Sequence, residues 1–425
     1  MPAAAGGAAA REAAQRDAVL AERVETVRLR LVDEHGEALA GHDVRLEQVS
    51  HAFGFGCSGF ELRPEEPDAH TRLWLDLFNM ATLPFYWRWF EPTPGAPDTE
   101  RLRRLARGLR AHGVRLKGHP LLWHTLAPSW LLGRGPAEVE EAIRRRITRE
   151  ATDFAGLIEQ WDAINETVIL PVFEAEENAI TRLARARSRI GVISLAFETA
   201  RAADPAARLV LNDFDLSGAF EEVIEECLEA GLEIDAIGLQ THMHQGFRGE
   251  EQIAEVIGRF SRFGLPIQLT ETTLLSGELM PPDVVDLNDH VVESWPSTPE
   301  GEQRQADELV RHYRTVLAQP AVESLTYWGL GDAGAWLGAP AGLVRADGTP
   351  KPSYHALKAL IGQEWWVRDR HLRTDADGLV SVRGFAGDYL LDLGAEPVRF
   401  TIPRGGGAQQ LCPPRRALRS RRTAP

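Results

Sequence analysis

From residue 51 onward the chain alternates between two hydrophobic periods. Short, nearly continuous apolar runs take turns with stretches whose apolar residues recur at helical spacing. The runs at 51–55, 78–83, 115–119, 161–165, 208–212, 235–240, 266–270 and 324–328 are predicted strands. The stretches at 68–77, 98–112, 136–159, 183–203, 217–230, 249–263, 299–318 and 353–361 are predicted helices. Strand and helix alternating across residues 51–362 predict an α/β protein, a (β/α)8 TIM barrel. A doubly wound sheet is the alternative, but no Gly-rich phosphate turn follows the first strand.

The flanks read differently. Residues 23–50 alternate through Val24, Val27, Leu29 and Leu31, turn near Gly36, and resume at Val44 and Leu46, which predicts an N-terminal β-hairpin. Residues 363–405 hold short β runs split by Gly and Asp: Trp365-Trp366-Val367, Leu379–Val382, Tyr389–Leu391 and Val398–Ile402. They predict a small β-rich accessory domain, with the N-terminal hairpin as its candidate partner. Residues 1–22, Ala/Gly-rich and then charged, read as a disordered lead passing into a short helix. Residues 406–425, with Pro413-Pro414 and five arginines, read as a disordered basic tail. The segment 272–298 is too long for a plain connector and is expected to overhang the end of its strand.

Composition narrows the classes. The chain has 425 residues, 44% of them hydrophobic, enough to bury a large core, and no run approaches a membrane span. A net charge of −15 disfavours nucleic acid and anionic membrane as partners. Three widely spaced cysteines, Cys57, Cys227 and Cys412, form neither a disulfide framework nor a metal signature, and no cofactor is implied. The first residues lack a signal peptide's apolar core, so a cytoplasmic protein is expected if Met1 is the true start, and a secreted one if it is not. Oligomeric state is not readable from these features.

The chemistry gathers where strands end. The strand at 161–165 finishes in Asn165-Glu166, and the strand at 266–270 in Glu271. An apolar strand has no packing reason to end in a carboxylate; a barrel that delivers chemistry at its open end does. Other ends carry His119, Trp123 and His124; Asn212, Asp213 and Asp215; Gln240, His242 and His244; and Trp328 and Trp336. Glutamates, amides, histidines and tryptophans around one opening describe a sugar site, since indole faces stack on pyranose rings and amides bond hydroxyls. Two carboxyls roughly 5–5.5 Å apart would suit a retaining glycosidase. Other readings remain. His242 and His244, two apart on a strand, share a face and could be a metal pair. Asp213 and Asp215 could be helix caps, and one of His119 and His124 a structural hydrogen-bonder.

Five blocks resemble glycoside hydrolase family 10, the β-1,4-xylanases. Gly118 to His124 resembles that family's "G-H-x-L-x-W-H", Trp161 to Glu166 its "W-D-V-V-N-E", and Gly238 to His242 its "G-L-Q-S-H". Thr270-Glu271 resembles its nucleophile strand, and Tyr327-Trp328-Gly329 with Trp336-Leu337 its "F-W-G…W-L" block. The resemblance implies Glu166 as acid/base, Glu271 as nucleophile and Asn165 as partner of the sugar 2-hydroxyl. It further implies Arg88, His119, Trp123, Gln240, His242, Trp328 and Trp336 as substrate-binding residues, no metal, and an oligosaccharide or glycoside substrate. Two departures stand out. Where the family has "P-E-N-E-M-K-W", this chain has Leu83 to Trp89, with Pro84 and Phe85 at the polar positions and Arg88 for the lysine. Where it has "T-E-L-D", Thr273 replaces the aspartate. The glycone subsites are therefore expected to differ, which favours short or aryl-linked glycosides over xylan. A catalytically silent sugar-binding barrel is the alternative from another class.

Overall fold

The computed structural model describes residues 2–394 and 396–413. The chain divides into two compact units: residues 54–316 with 321–355, and the segments before 54 and after 355 with 317–320. Two strands, β1 (Val24–Leu31) and β2 (Asp43–Gln48), precede the larger unit.

The larger unit is a closed parallel barrel. β3 (Gly54–Ser58), β4 (Met80–Pro84), β5 (Arg115–His119), β6 (Gln160–Asn165), β7 (Arg208–Asp213) and β8 (Ala236–Leu239) pair in chain order. The two-residue β9 (His242–Met243) lies beside β10 (Ile267–Leu274), which pairs with β8 and β11 (Val322–Tyr327); β11 closes on β3. Every residue of β6 and of β10 is buried, as strands covered on both faces must be. Gly118 on β5 is required by close approach: a Cβ there would lie 2.1 Å from the Trp161 ring. Inside the barrel Lys117 Nζ sits 2.7 Å from Asp162 Oδ1, both 1% exposed, so the buried charges are paired.

The boundaries differ from the expected ones for local reasons. β3 begins at Gly54 because the His51 ring accepts from the Phe53 amide at 2.9 Å, a turn where a strand was expected. The expected helix 183–203 is two, Ala179–Arg187 and Arg189–Ala203, broken at Ser188 (φ 78), whose side chain caps Gly191. The expected helix 136–159 stops at Asp153. β10 runs on to Leu274, through Thr272 and Thr273, whose polarity hid the strand.

The second unit is all-β beyond its helices. β12 (Arg370–Arg373), β13 (Leu379–Phe385), β14 (Gly387–Asp392), β15 (Val398–Ile402) and β16 (Gly407–Leu411) join β1 and β2 in two sheets, ordered β13-β1-β16 and β12-β2-β14-β15. Val27, Leu29 and Leu31 of β1 share one core with Val44 and Leu46 of β2, Val382 of β13 and Tyr389 of β14. The expected hairpin over 23–50 is therefore corrected: β1 and β2 belong to different sheets, because each buries its alternating apolar face against partners from the C-terminal segment. Trp365-Trp366-Val367 is not a strand; Trp365 ends the helical turn Leu360–Glu364. The lead is a helix, Pro2–Arg23. Of the expected disordered tail, residues 407–411 pair in parallel with β1, and 414–425 lie outside the described residues. Among the described residues no helix is long and apolar enough to cross a membrane.

Candidate active site

Glu166 follows β6 in the left-handed region, φ 57, where a non-glycine residue carries strain of ~1–3 kcal/mol. The surroundings hold it there. Its amide donates to the Asn212 carbonyl at 2.8 Å, and Asn165 N donates to the Leu122 carbonyl at 3.0 Å. Asp213 at the end of β7 accepts from Thr167 Oγ1 at 3.1 Å and Val168 N at 3.0 Å, fastening the residues just past Glu166. The bend turns the Glu166 carboxyl toward Trp123 Nε1, which donates at 2.8 Å, and Gln240 Nε2, at 3.4 Å.

Glu271, 5% exposed on β10, accepts from Asn212 Nδ2 at 3.1 Å on one oxygen. His242 Nε2 lies 3.3 Å from the other. Asn212 Nδ2 also donates to Asn165 Oδ1 at 2.7 Å, and Gln240 Nε2 reaches the same oxygen at 3.2 Å. A continuous arc of amides thus runs from Glu271 through Asn212, Asn165 and Gln240 to Glu166. The two carboxyls are electrostatically coupled. Burial, then the charge of Glu271, then that of Asp213, push the Glu166 carboxyl up to about 8, against the opposing bonds from Trp123 and Gln240. Asp213 itself is pushed up to about 6 by burial.

Rings line the approach. Trp328 stands edge-on to His119 at 5.4 Å and to His242 at 6.5 Å, and Trp336 lies 4.9 Å from His242. His119 is oriented by Asp162, 2.7 Å from its Nδ1. Tyr86 packs edge-on to His119 at 5.6 Å, tilted to Trp123 at 5.8 Å and edge-on to Phe60 at 5.9 Å. Burial and the charges of Glu271 and Glu166 hold its phenol well above its usual range.

Of the residues singled out in the sequence, Glu166, Glu271, Asn165, His119, Trp123, Gln240, His242, Trp328 and Trp336 come together. Arg88 does not join them by any described contact. Its guanidinium bonds the Ala127 carbonyl at 3.1 Å and Glu176 at 2.7 Å, and Glu176 in turn holds Leu126 N. His124 is fully buried, its ring 4.3 Å from the Phe173 ring and its Nε2 4.0 Å from Glu166 Oε2, so it borders the site from behind, and burial lowers it to about 3. Phe85 is wholly buried against Trp161, Phe154 and Phe90, so it offers the site nothing. Sequence reasoning gave Phe60 and Tyr86 no role in the site; it placed Asn212 and Asp213 among the polar strand ends around the opening, with a helix cap as the other reading of Asp213. Tyr86 lay inside a departure from the family pattern. Among the described residues no group of three or more His, Cys, Asp or Glu is arranged to hold a metal ion.

The Glycosyl hydrolase family 10 model matches residues 51–360. The chain belongs to this family. Among relatives of the family 10 chain, the endo-1,4-beta-xylanase C of Paenibacillus barcinonensis is 27% identical over 323 residues, covering 68% of this chain and 28% of that protein. The anti-sigma-I factor RsgI6 of Acetivibrio thermocellus is 24% identical over 407 residues, 91% of this chain and 48% of that protein. The chain thus spans about half, or less, of these relatives' length. The solved xylanase 10B of Thermotoga petrophila, in complex with xylobiose, superposes with a TM-score of 0.61 at 22% identity, over 74% of this chain and 95% of that one. A family 10 structure from Paenibacillus barcinonensis gives 0.60 at 24% identity, over 73% and 96%. These likenesses show the barrel fold.

Proposed function

We propose that the chain is a retaining glycoside hydrolase of xylanase-like type, cleaving β-1,4-xylosidic or related β-glycosidic bonds by double displacement. Glu166 is the acid/base and Glu271 the nucleophile. The observation that carries the reading is the asymmetry between two coupled carboxyls. Burial and a neighbouring charge keep Glu166 protonated near neutral pH, as a general acid requires. Glu271 has donors at both oxygens, Asn212 and His242, which orient it for attack. In the first step Glu271 attacks the anomeric carbon while the Glu166 proton passes to the departing oxygen. In the second, Glu166, now a carboxylate, takes a proton from water as that water displaces Glu271 with overall retention. Asn165, with its Oδ1 held by Asn212 and Gln240, presents its amide nitrogen to the sugar 2-hydroxyl.

Short or aryl-linked glycosides fit better than xylan. The two positions that would grip further sugars on the glycone side are Pro84, at the end of β4, and Phe85, whose ring is locked in the core. The test is product stereochemistry by NMR on xylooligosaccharides and aryl β-xylosides, with Glu166→Ala and Glu271→Ala as controls. Retention, loss of turnover in both variants, and a fluorinated sugar bound covalently to Glu271 are expected. Inverted product, or full activity in Glu271→Ala, would overturn the assignment. Saccharide binding without hydrolysis would turn the reading to a silent binding barrel.

A further inference from the structure

Behind Glu271 sits a hydroxyl with three partners. Thr273, 2% exposed on β10, pairs across the ladder with His242 of β9. Its Oγ1 lies 3.1 Å from Met243 N, 3.4 Å from His242 Nδ1 and 3.3 Å from His244 Nδ1. A hydroxyl has one proton to give and two lone pairs to fill. The Met243 amide fills one lone pair. A carboxylate only accepts, so His242 Nε2, facing Glu271, carries its hydrogen. In the neutral form of His242 the bare Nδ1 takes the Thr273 proton. One lone pair remains, and His244 Nδ1–H fills it.

This assignment uses every site on the hydroxyl once. It also accounts for His244 Nε2, which is buried with no partner among the described residues: in this tautomer it is a bare acceptor, not a stranded N–H. His244 is kept neutral chiefly by its burial. Burial, and then the nearness of His242 and His290, lower it to about 3.

We propose that Thr273 and His244 are positioning residues that hold His242 as a neutral Nε2–H donor to Glu271. The proposal deepens the reading of Glu271 as nucleophile and rests on it. The titratable groups around His242 are Glu271 from β10 and His244 just past β9, with His290 beyond it; its other ring neighbours, Trp328 and Trp336, carry no charge. A neutral donor aims the carboxylate without adding a counter-charge that would weaken its attack. An aspartate at position 273 would instead draw a second proton onto the ring.

The test is nitrogen-detected NMR of the full chain with labelled histidine, assigned with His242→Gln and His244→Gln. His242 is expected as the neutral Nε2–H form and His244 as the neutral Nδ1–H form. Thr273→Val removes the hydroxyl at constant shape. It is expected to mix the His242 tautomers and cut kcat on an aryl β-xylobioside about tenfold with KM little changed. Thr273→Ser is expected to restore both, and Thr273→Asp to make His242 cationic. A cationic or Nδ1–H His242 in the unaltered chain, or an unchanged tautomer in Thr273→Val, would overturn the proposal. The spectra need no turnover. An inactive but correctly tautomeric protein would therefore count against the glycosidase reading and leave the tautomer assignment standing.

Discussion

Trp123 and Gln240 donate to the two oxygens of Glu166 at 2.8 and 3.4 Å, and Asn212 and His242 face the two oxygens of Glu271 at 3.1 and 3.3 Å. With hydrogen bonds at all four oxygens, it is burial and the charge of Glu271 that raise the Glu166 carboxyl and suit it to the acid role proposed for it. This has two measurable consequences. The alkaline limb of kcat/KM on a substrate needing protonation is expected to fall as Glu166 loses its proton, with a midpoint near its value of about 8. A folded carboxyl raised above its unfolded range binds a proton that the unfolded chain has already lost, so stability falls as pH rises from the ordinary glutamate range toward the raised one. Glu166→Gln removes this effect. Its Tm is expected to exceed that of the unaltered chain by a margin that widens over that window, and a margin independent of pH would contradict the cause assigned. Both glutamates were legible in the sequence because each interrupts an apolar run. Asn212 was legible only as one polar residue among several near the end of β7, and it is three-dimensional proximity that shows it touching both Asn165 and Glu271.

At the level of elements, the site depends on how the turns after β4 and β5 are held. Arg146, 1% exposed on the helix Pro136–Asp153, reaches the Leu121 carbonyl at 2.9 Å, the Pro120 carbonyl at 3.2 Å and the Phe85 carbonyl. One turn on, Arg149 grips Glu91 with two bonds, at 3.0 and 2.8 Å, and Glu91 accepts from Trp87 Nε1 at 3.0 Å. One helix thus anchors the segments that carry Tyr86 and Trp123. Arg146→Met keeps the apolar stem but strands three buried carbonyls, and should cost about 2–4 kcal/mol, read from urea unfolding. A loss below about 1 kcal/mol would mean that water replaces the guanidinium. The helix was visible as a periodic stretch, but nothing in the sequence singled out Arg146. Periodicity cannot distinguish a buried cation bonded to turn carbonyls from a solvated one. The same limit hid β16, whose Gly-Ala-Gln-Gln-Leu has no apolar alternation and offers the core only Leu411.

Across the whole molecule the barrel was more legible than the β unit, and strand environment explains why. Parallel barrel strands are covered on both faces and announce themselves as apolar runs separated by helices. The antiparallel pairings of the second unit join positions at opposite ends of the chain: Val27 lies opposite Val382, and Leu46 opposite Leu391. No local pattern specifies such partners, which is how β1 and β2 came to look like a hairpin. The discontinuity makes a definite prediction. Removing residues 363–425 deletes β12 to β16 and with them every strand partner of β1 and β2. Val27, Leu29, Leu31, Val44 and Leu46, all at most 1% exposed in the intact chain, would then face water beside two open strand edges. Apolar surface of that kind, at roughly 25 cal/mol per Å2, is recovered by association. The truncated chain is expected to bind a hydrophobic dye and elute as aggregates in size-exclusion chromatography. A chain of residues 51–360 alone, which carries no half-built sandwich, is the control expected to stay dispersed. Equal dispersion of both truncated chains would show that β1 and β2 do not need their C-terminal partners, and the two-sheet core would then not be what holds the N-terminal strands in place.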